Sequence, residues 1–182
     1  WAESDATGRN LRRDIAAEKR MLTEKGGEFH QSLGGGMATT PAIDRKTRTV
    51  FLVVGSPAPA FHGAIRPGDN LYSNSIVAID LDKGTYKWHF QYTPHDVHDW
   101  DANQPPLLVD AEFRGRPRKL LVVANRNGFF YVLDRLTGQM LLVEPFVKNI
   151  TWASGVGPDG RPKLLPGYEN STEGTQTCPS VS

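Results

Sequence analysis

The segment Ala78-Ile-Asp80-Leu-Asp-Lys-Gly84-Thr-Tyr-Lys-Trp88 recurs 54 residues later as Val132-Leu-Asp134-Arg-Leu-Thr-Gly138-Gln-Met-Leu-Leu142. Each copy ends an apolar run on Asp, places Gly four residues on, and returns to an apolar residue four beyond that. The preceding strands match too, Arg48-Thr-Val-Phe-Leu-Val-Val-Gly55 against Arg118-Lys-Leu-Leu-Val-Val-Ala124. A strand–turn–strand unit that repeats with Asp and Gly in its hairpin is the signature of a propeller blade. Two such units do not close a ring of about four to eight blades. The competing fold is a small antiparallel sandwich with unrelated hairpins.

The rest of the chain agrees with an all-β class. Short β-branched or aromatic runs at 50–54, 75–80, 86–91, 120–124 and 129–133 are bounded by Gly, Asp, Asn or Pro. The 18 Gly and 13 Pro supply many turns. Residues 10–29 form the one helix pattern, with Asn10 or Asp14 as cap, Ile15, Met21 and Leu22 on its apolar side, and Gly26-Gly27 as stop. Its acids alternate with Lys and Arg, as on a solvated surface helix. This divides the chain into a helical insertion or linker, residues 1–33, and an incomplete propeller, residues 34–182. The chain starts at Trp1 without Met and ends on Cys178-Pro-Ser-Val-Ser182 with no helix or strand pattern, which reads as an internal piece of something longer.

Charge and cysteine content narrow the chemistry. Lys plus Arg total 21 against 20 Asp plus Glu, so the basic excess that a nucleic-acid binder needs is missing. No apolar stretch is long enough for a membrane-spanning helix. One Cys makes neither an intrachain disulfide nor a cysteine zinc site.

The densest polar stretch is Thr93-Pro-His95-Asp96-Val-His98-Asp99-Trp100-Asp101-Ala-Asn103, following a strand. If extended, it presents His95, Asp99 and Asp101 on one face, and Asp96 and His98 on the other. A carboxylate beside a Trp suits a general base, because an apolar wall raises its basicity. The same oxygens suit a hard cation such as calcium, whereas the paired-His helix spacing of zinc proteases is missing. The bland reading is a loop of turn-forming Asp and His. Asn125-Arg126-Asn127-Gly128 is an Asn-Gly hairpin that displays Arg126, whose guanidinium can clamp a carboxylate. Arg66-Pro-Gly-Asp69-Asn70 is a turn whose Asp and Asn could orient a ligand. Gly34-Gly35-Gly36 precedes a strand rather than a helix and is no phosphate loop.

Taken in order, these pieces resemble one family. Gly34-Gly-Gly36, Gly55-Ser-Pro57, Arg66-Pro-Gly-Asp-Asn-Leu-Tyr72, Ser75-Ile-Val-Ala-Ile-Asp80, Trp88-His-Phe-Gln-Tyr-Thr-Pro-His-Asp96, Trp100-Asp101, Arg126-Asn-Gly128, Tyr131-Val-Leu-Asp-Arg135, Trp152-Ala-Ser154 and Cys178-Pro-Ser180 follow the sequence of motifs in the quinoprotein alcohol dehydrogenases. The resemblance covers roughly residues 29–182. It implies an eight-bladed propeller, of which about three blades would be present, and the cofactor pyrroloquinoline quinone (PQQ) with calcium.

By position, the resemblance implies that Asp101 is the base that removes the alcohol proton, and that it also ligates the metal. It implies that Arg126 polarises the quinone oxygens, with Asn127 and Ala38 as further cofactor contacts and Ser56 as a metal ligand. It also implies a small alcohol or sugar substrate and a periplasmic location. Cytochrome c or membrane quinone would be the electron acceptor, and the remaining blades of the same parent chain would complete the ring. An aldose dehydrogenase and a propeller that only binds are the alternatives. Three positions depart from the pattern. Ser56 stands where the family usually has a metal-ligating Asn. Met37 or Ala38 stands where a Trp usually stacks on the quinone. Asn103 stands where lanthanide-using members carry Asp, which favours calcium.

Overall fold

A computed structural model describes residues 3, 4, 10, 12–24, 34–171 and 175–179. Two four-stranded antiparallel sheets form most of it, each a simple meander. The first runs β1 (Ala42–Asp44), β2 (Thr49–Val54), β3 (Ser75–Asp80) and β4 (Tyr86–Gln91). The second runs β5 (Leu107–Phe113), β6 (Arg116–Ala124), β7 (Phe129–Asp134) and β8 (Met140–Pro145). A hairpin of β9 (Ala153–Val156) and β10 (Pro162–Leu164) follows. Of the about three blades expected, two are complete, and the β9–β10 hairpin lays its turn against the first. There Gly160 approaches Phe90 so closely that a Cβ would fall 2.7 Å from the ring.

The repeat read from the sequence is a repeat of hydrogen bonds. Asp80 Oδ1 accepts from the Asp82 and Lys83 amides, and the Asp80 N–H closes the turn on the Thr85 carbonyl at 2.8 Å. Asp134 Oδ1 likewise accepts from Leu136 and Thr137, and its N–H closes on Gln139 at 2.8 Å. The Asp side chain thus replaces missing backbone acceptors inside the turn. Gly84 and Gly138 take φ of +66° and +74°, conformations that side chains disfavour. Both sheets shift register at the equivalent place, between Ala78 and Ile79 and between Val132 and Leu133.

Alternation explains the central strands. Thr49, Phe51 and Val53 of β2 are buried while their neighbours are half-buried, as period-two side chains require. One core of buried residues spans both sheets, including Phe51, Ile76, Trp88, Leu121, Tyr131 and Trp152. Full burial of a side chain such as Phe51 stabilises by roughly 1.5–3 kcal/mol. The sheets lock where Trp88 covers Gly138 of the next blade, and where buried Arg135 pairs with Asp44 of the first blade at 3.0 Å and with Asp110 of its own.

Helix α1 (Ile15–Glu24) begins inside the expected span, directly after Asp14. Of the two candidate caps Asp14 serves, its Oδ1 accepting the Ala17 amide at 2.8 Å, while Asn10 Oδ1 accepts the Arg12 amide ahead of the helix. The expected stop at Gly26-Gly27, and the Met21 and Leu22 side chains, lie outside the described residues. In the meanders, the turns after β1, β3, β5 and β7 gather at one rim, and the connections after β2, β4, β6 and β8 gather at the other. The second rim carries the polar loops.

Candidate active site

The loop after β4 is not extended. His95, Asp99 and Asp101 take φ of +49°, +60° and +38°, conformations that cost a non-glycine residue on the order of 1 kcal/mol or more each. Even so, Asp96 and His98 are buried and the other three are half-buried. The expected division of the segment therefore arises from turns instead of a strand.

Asp96 holds those turns. Its Oδ1 accepts the His98 amide at 2.8 Å, and its Oδ2 accepts the Trp100 amide at 3.0 Å, Asn74 Nδ2 at 2.7 Å and the Ser56 hydroxyl at 2.8 Å. Asn74 Oδ1 accepts the Ala102 amide at 3.0 Å. Ser56 and Asp101 clasp each other: the Ser56 amide donates to Asp101 Oδ1 and the Asp101 amide donates to Ser56 Oγ, both at 2.9 Å. Gly55 makes room for this, since a Cβ there would lie 2.5 Å from Asp101 Oδ1.

Burial pushes the Asp99 carboxyl up. The charges of Asp101 and Asp96 push it further, against the nearby Ser56 hydroxyl and the charge of Arg126. Burial also lowers His98, favouring its neutral form beneath Trp100. The Arg126 hairpin is tied to this loop by Gln104, which donates from Nε2 to the Asp101 carbonyl at 3.0 Å and accepts the Arg126 amide on Oε1 at 3.3 Å.

The expected residues therefore converge on one rim, with different tasks. Ser56 lies beside Asp101, but its hydroxyl donates to Asp96 and accepts from the Asp101 amide, so these bonds hold the loop. Asn127 is fully buried. Its Nδ2 reaches Tyr131 Oη at 2.9 Å, Thr93 Oγ1 at 3.1 Å and the Tyr92 carbonyl at 3.3 Å, and its Oδ1 accepts the Phe129 amide. That side chain shapes the hairpin and faces inward. Ala38 is exposed and Met37 is 61% exposed. Their segment joins the same rim through Gly55 N–H to the Gly36 carbonyl at 2.8 Å and Thr39 Oγ1 to the Asn103 carbonyl at 2.7 Å. Asp69 and Asn70 are engaged internally, Asp69 in a bidentate pair with Arg161 and Asn70 with the buried Arg66.

Sequence reasoning missed Asn74 and Gln104. The usable signal for Asn74 is an Asn directly ahead of a strand, where a positive φ of +45° is tolerated. Gln104 carries no comparable signal.

The donor chemistry on this rim fits a hard cation. Asn103 Oδ1 is buried without a hydrogen-bond partner, and it borders Gly55 on the side where Asp101 Oδ1 lies. Carboxylate and amide oxygens are the donors that calcium takes. Among the described residues no three His, Cys, Asp or Glu side chains gather into a metal-holding group, so this chain offers part of a donor set.

Comparison with known proteins identifies the family. The family described as PQQ "Glucose/ethanol/alcohol dehydrogenase, beta-propeller domain" matches residues 13–148. The chain is 47% identical over 119 residues to quinoprotein alcohol dehydrogenase PedH of Pseudomonas putida, a match covering 65% of this chain and 20% of that protein. The quinohemoprotein alcohol dehydrogenase structure from Comamonas testosteroni superposes with a TM-score of 0.75 at 34% identity, covering 93% of this chain and 25% of the other. A europium-containing methanol dehydrogenase gives a TM-score of 0.76 at 27% identity, covering 96% and 34%. The chain thus spans between a fifth and a third of the length of these relatives.

Proposed function

The chain belongs to the PQQ glucose, ethanol and alcohol dehydrogenase family through its β-propeller domain, and from that premise we propose that it forms part of a periplasmic enzyme that oxidises primary alcohols to aldehydes. The observation that carries the reading is the joining of two expected reactive groups. Asp101 is clasped by Ser56, and Gln104 bridges its loop to the Arg126 hairpin.

In this reading Asp101 accepts the hydroxyl proton of the substrate. A base works from within hydrogen-bond reach of the proton it removes, and the clasp fixes one carboxylate oxygen while the half-buried residue keeps access to solvent. Arg126 presents a fixed positive charge toward the oxygen that gains electron density, an electrostatic role that needs no reorganisation during reaction. PQQ, when bound, supplies the hydride acceptor. Asp101 and Asn103 would hold the accompanying cation, and the neutral amide of Asn103 favours calcium over a trivalent ion. Met37 and Ala38 would give the cofactor apolar contact. The Asn127 side chain keeps the Arg126 turn in shape.

Relatives named as alcohol dehydrogenases support an alcohol over an aldose as substrate. The quinohemoprotein relative supports a cytochrome, or membrane quinone, as the next electron carrier. The remaining blades of a complete ring would close the site.

The test is reconstitution of the complete protein with PQQ and calcium, with an artificial dye as acceptor. Expected are dye reduction by primary alcohols, weaker turnover with glucose, and loss of activity on chelation that calcium restores. Absence of turnover with every alcohol and aldose would overturn the reading, and saturable PQQ binding without turnover would favour a propeller that only binds.

A further inference from the structure

We propose that Arg66 is a positioning residue for the active site, which fixes the loop after β4, residues 92–106, against the loop after β2, residues 55–74; this rests on the functional reading above. Arg66 belongs to the loop after β2, in the turn Arg66-Pro-Gly-Asp69-Asn70, yet it is only 4% exposed. A planar guanidinium offers its N–H donors in a fixed fork. Here its nitrogens donate four hydrogen bonds: Nε to the Pro59 carbonyl at 3.0 Å, Nη1 to Asn70 Oδ1 at 2.5 Å, and Nη2 to the carbonyls of Ala60 and Asp96. Pro59 and Ala60 follow closely on Ser56, and Asp96 lies at the root of the stretch that carries Asp99 and Asp101. One side chain therefore joins both loops. The role is the same whichever carboxylate of the loop after β4 takes the substrate proton.

All four acceptors are neutral, three backbone carbonyls and one amide oxygen. Burial of a cation with such partners is costly, and it lowers the Arg66 pKa against the charge of nearby Asp96. Bonds from a charged donor are roughly twice as strong as neutral ones, so this guanidinium spends its strength on where the backbone runs. The rest of the turn works the same way. The Gly68 carbonyl meets His95 Nδ1 at 2.8 Å, the Asp69 carbonyl accepts the His95 amide at 3.2 Å, and Asn70 Nδ2 donates back to the Arg66 carbonyl at 2.7 Å. The Asp69 carboxylate is itself anchored on Arg161 of the β9–β10 turn. The turn is thus a pedestal, and the loop after β4 rests on it at His95 and Asp96. Asp96 passes the placement on, because its carboxylate accepts the amides of His98 and Trp100, the residues on either side of Asp99.

The test uses the complete protein with Arg66→Lys, Arg66→Met and Arg161→Gln. Arg66→Lys keeps the charge but offers a single nitrogen, which cannot span Pro59, Ala60 and Asp96 together. Arg161→Gln removes a charge-assisted pair from the same turn and serves as the control. Steady-state kinetics at saturating PQQ and calcium are combined with hydrogen exchange by mass spectrometry on the cofactor-free protein. Both Arg66 variants are expected to lower kcat on the order of 10- to 100-fold, the scale of a misplaced reactive group, with alcohol KM unchanged. Exchange is followed in the peptide 95–101, whose His95, His98 and Trp100 amides are tied to Asp69 and Asp96. It is expected to rise at least about tenfold in both Arg66 variants while β3 and β6 stay protected. Arg161→Gln is expected to leave kcat and that peptide unchanged. Wild-type kcat in either Arg66 variant overturns the proposal, as does unchanged exchange in both. So do equal losses in Arg161→Gln, and so does loss of protection across the sheets in both Arg66 variants. If the wild type oxidises no alcohol, the functional reading fails, and the exchange measurement still decides whether Arg66 holds the loop after β4 in place.

Discussion

The indole rings of Trp100 and Trp152 lie 4.5 Å apart, centroid to centroid, and both side chains are buried. Trp100 immediately precedes the proposed base. Trp152 Nε1 donates to the Asn127 carbonyl at 2.9 Å, next to Arg126. The ring pair therefore ties the base loop to the Arg126 hairpin from below, as Gln104 does from above. Trp152→Ala removes both the ring contact and the hydrogen bond. It is expected to lower unfolding stability by about 3–5 kcal/mol, measured by denaturant unfolding of the complete protein. Trp152→Phe, which keeps most of the ring volume, is expected to lose far less.

Gly84 and Gly138 occupy equivalent turns yet meet different surroundings. A Cβ at Gly84 meets nothing within 4 Å, whereas one at Gly138 would lie 2.5 Å from the Trp88 ring. Gly84→Ala is expected to cost about 1–2 kcal/mol from backbone strain alone. Gly138→Ala adds a clash between blades and is expected to cost roughly 1–3 kcal/mol more. Thermal unfolding of the two variants side by side measures the difference, and equal losses would mean that the Trp88 contact carries no energy.

Asp101→Asn keeps the size of the side chain but removes its capacity to take a proton. A positioned base contributes about 100- to 10,000-fold, so kcat is expected to fall by that range in the reconstituted enzyme. Because Asp101 would also hold the cation, kcat is compared at saturating PQQ and calcium, with both titrations run on the variant, which separates lost chemistry from lost cofactor.

Acid stability is expected to depend on Asp44. Burial pushes this carboxyl up, but hydrogen bonds from Thr47 and Lys46 and the charge of Arg135 outweigh it, leaving the group below its ordinary value of 3.8. A carboxyl depressed in the folded state stabilises fully above its unfolded value and loses that contribution as pH falls through the folded one. Melting temperature is therefore expected to drop as pH falls below about 4. Asp44→Asn should lower the neutral-pH plateau and flatten this acid limb. An acid limb of unchanged slope in that variant would rule Asp44 out as its source.

Much of the fold was legible because β2, β3, β4, β6 and β7 are central or well-packed strands, whose apolar residues alternate or run together. Strand β5 was not, since Leu107, Val109 and most of its neighbours are exposed and Asp110 and Glu112 interrupt its apolar residues. The three residues of β1 and of β10 are too short to carry a period, and β8 was visible only as the return of a repeat. The site divided in the same way. Asp101, Ser56 and Arg126 stood in motifs, and their common rim follows from strand order. The Asp96–Ser56–Asp101 chain did not show, because it joins residues 40 and 45 positions apart through turns whose positive φ breaks any alternation.

A meander also imposes parity on function. Ser56 follows β2, Asp96 through Asn103 follow β4, Arg126 and Asn127 follow β6, and Trp152 follows β8. Each lies after an even-numbered strand, while the Asp–Gly turns that let one blade nest on the next come after odd-numbered ones. Counting strands modulo two is then enough to sort the hairpins of the two meanders, while the β9–β10 turn departs from it, its Arg161 pairing with Asp69 in the connection after β2. Sequence drift after an even strand retunes what the rim binds, and drift after an odd strand tests whether the ring still holds together.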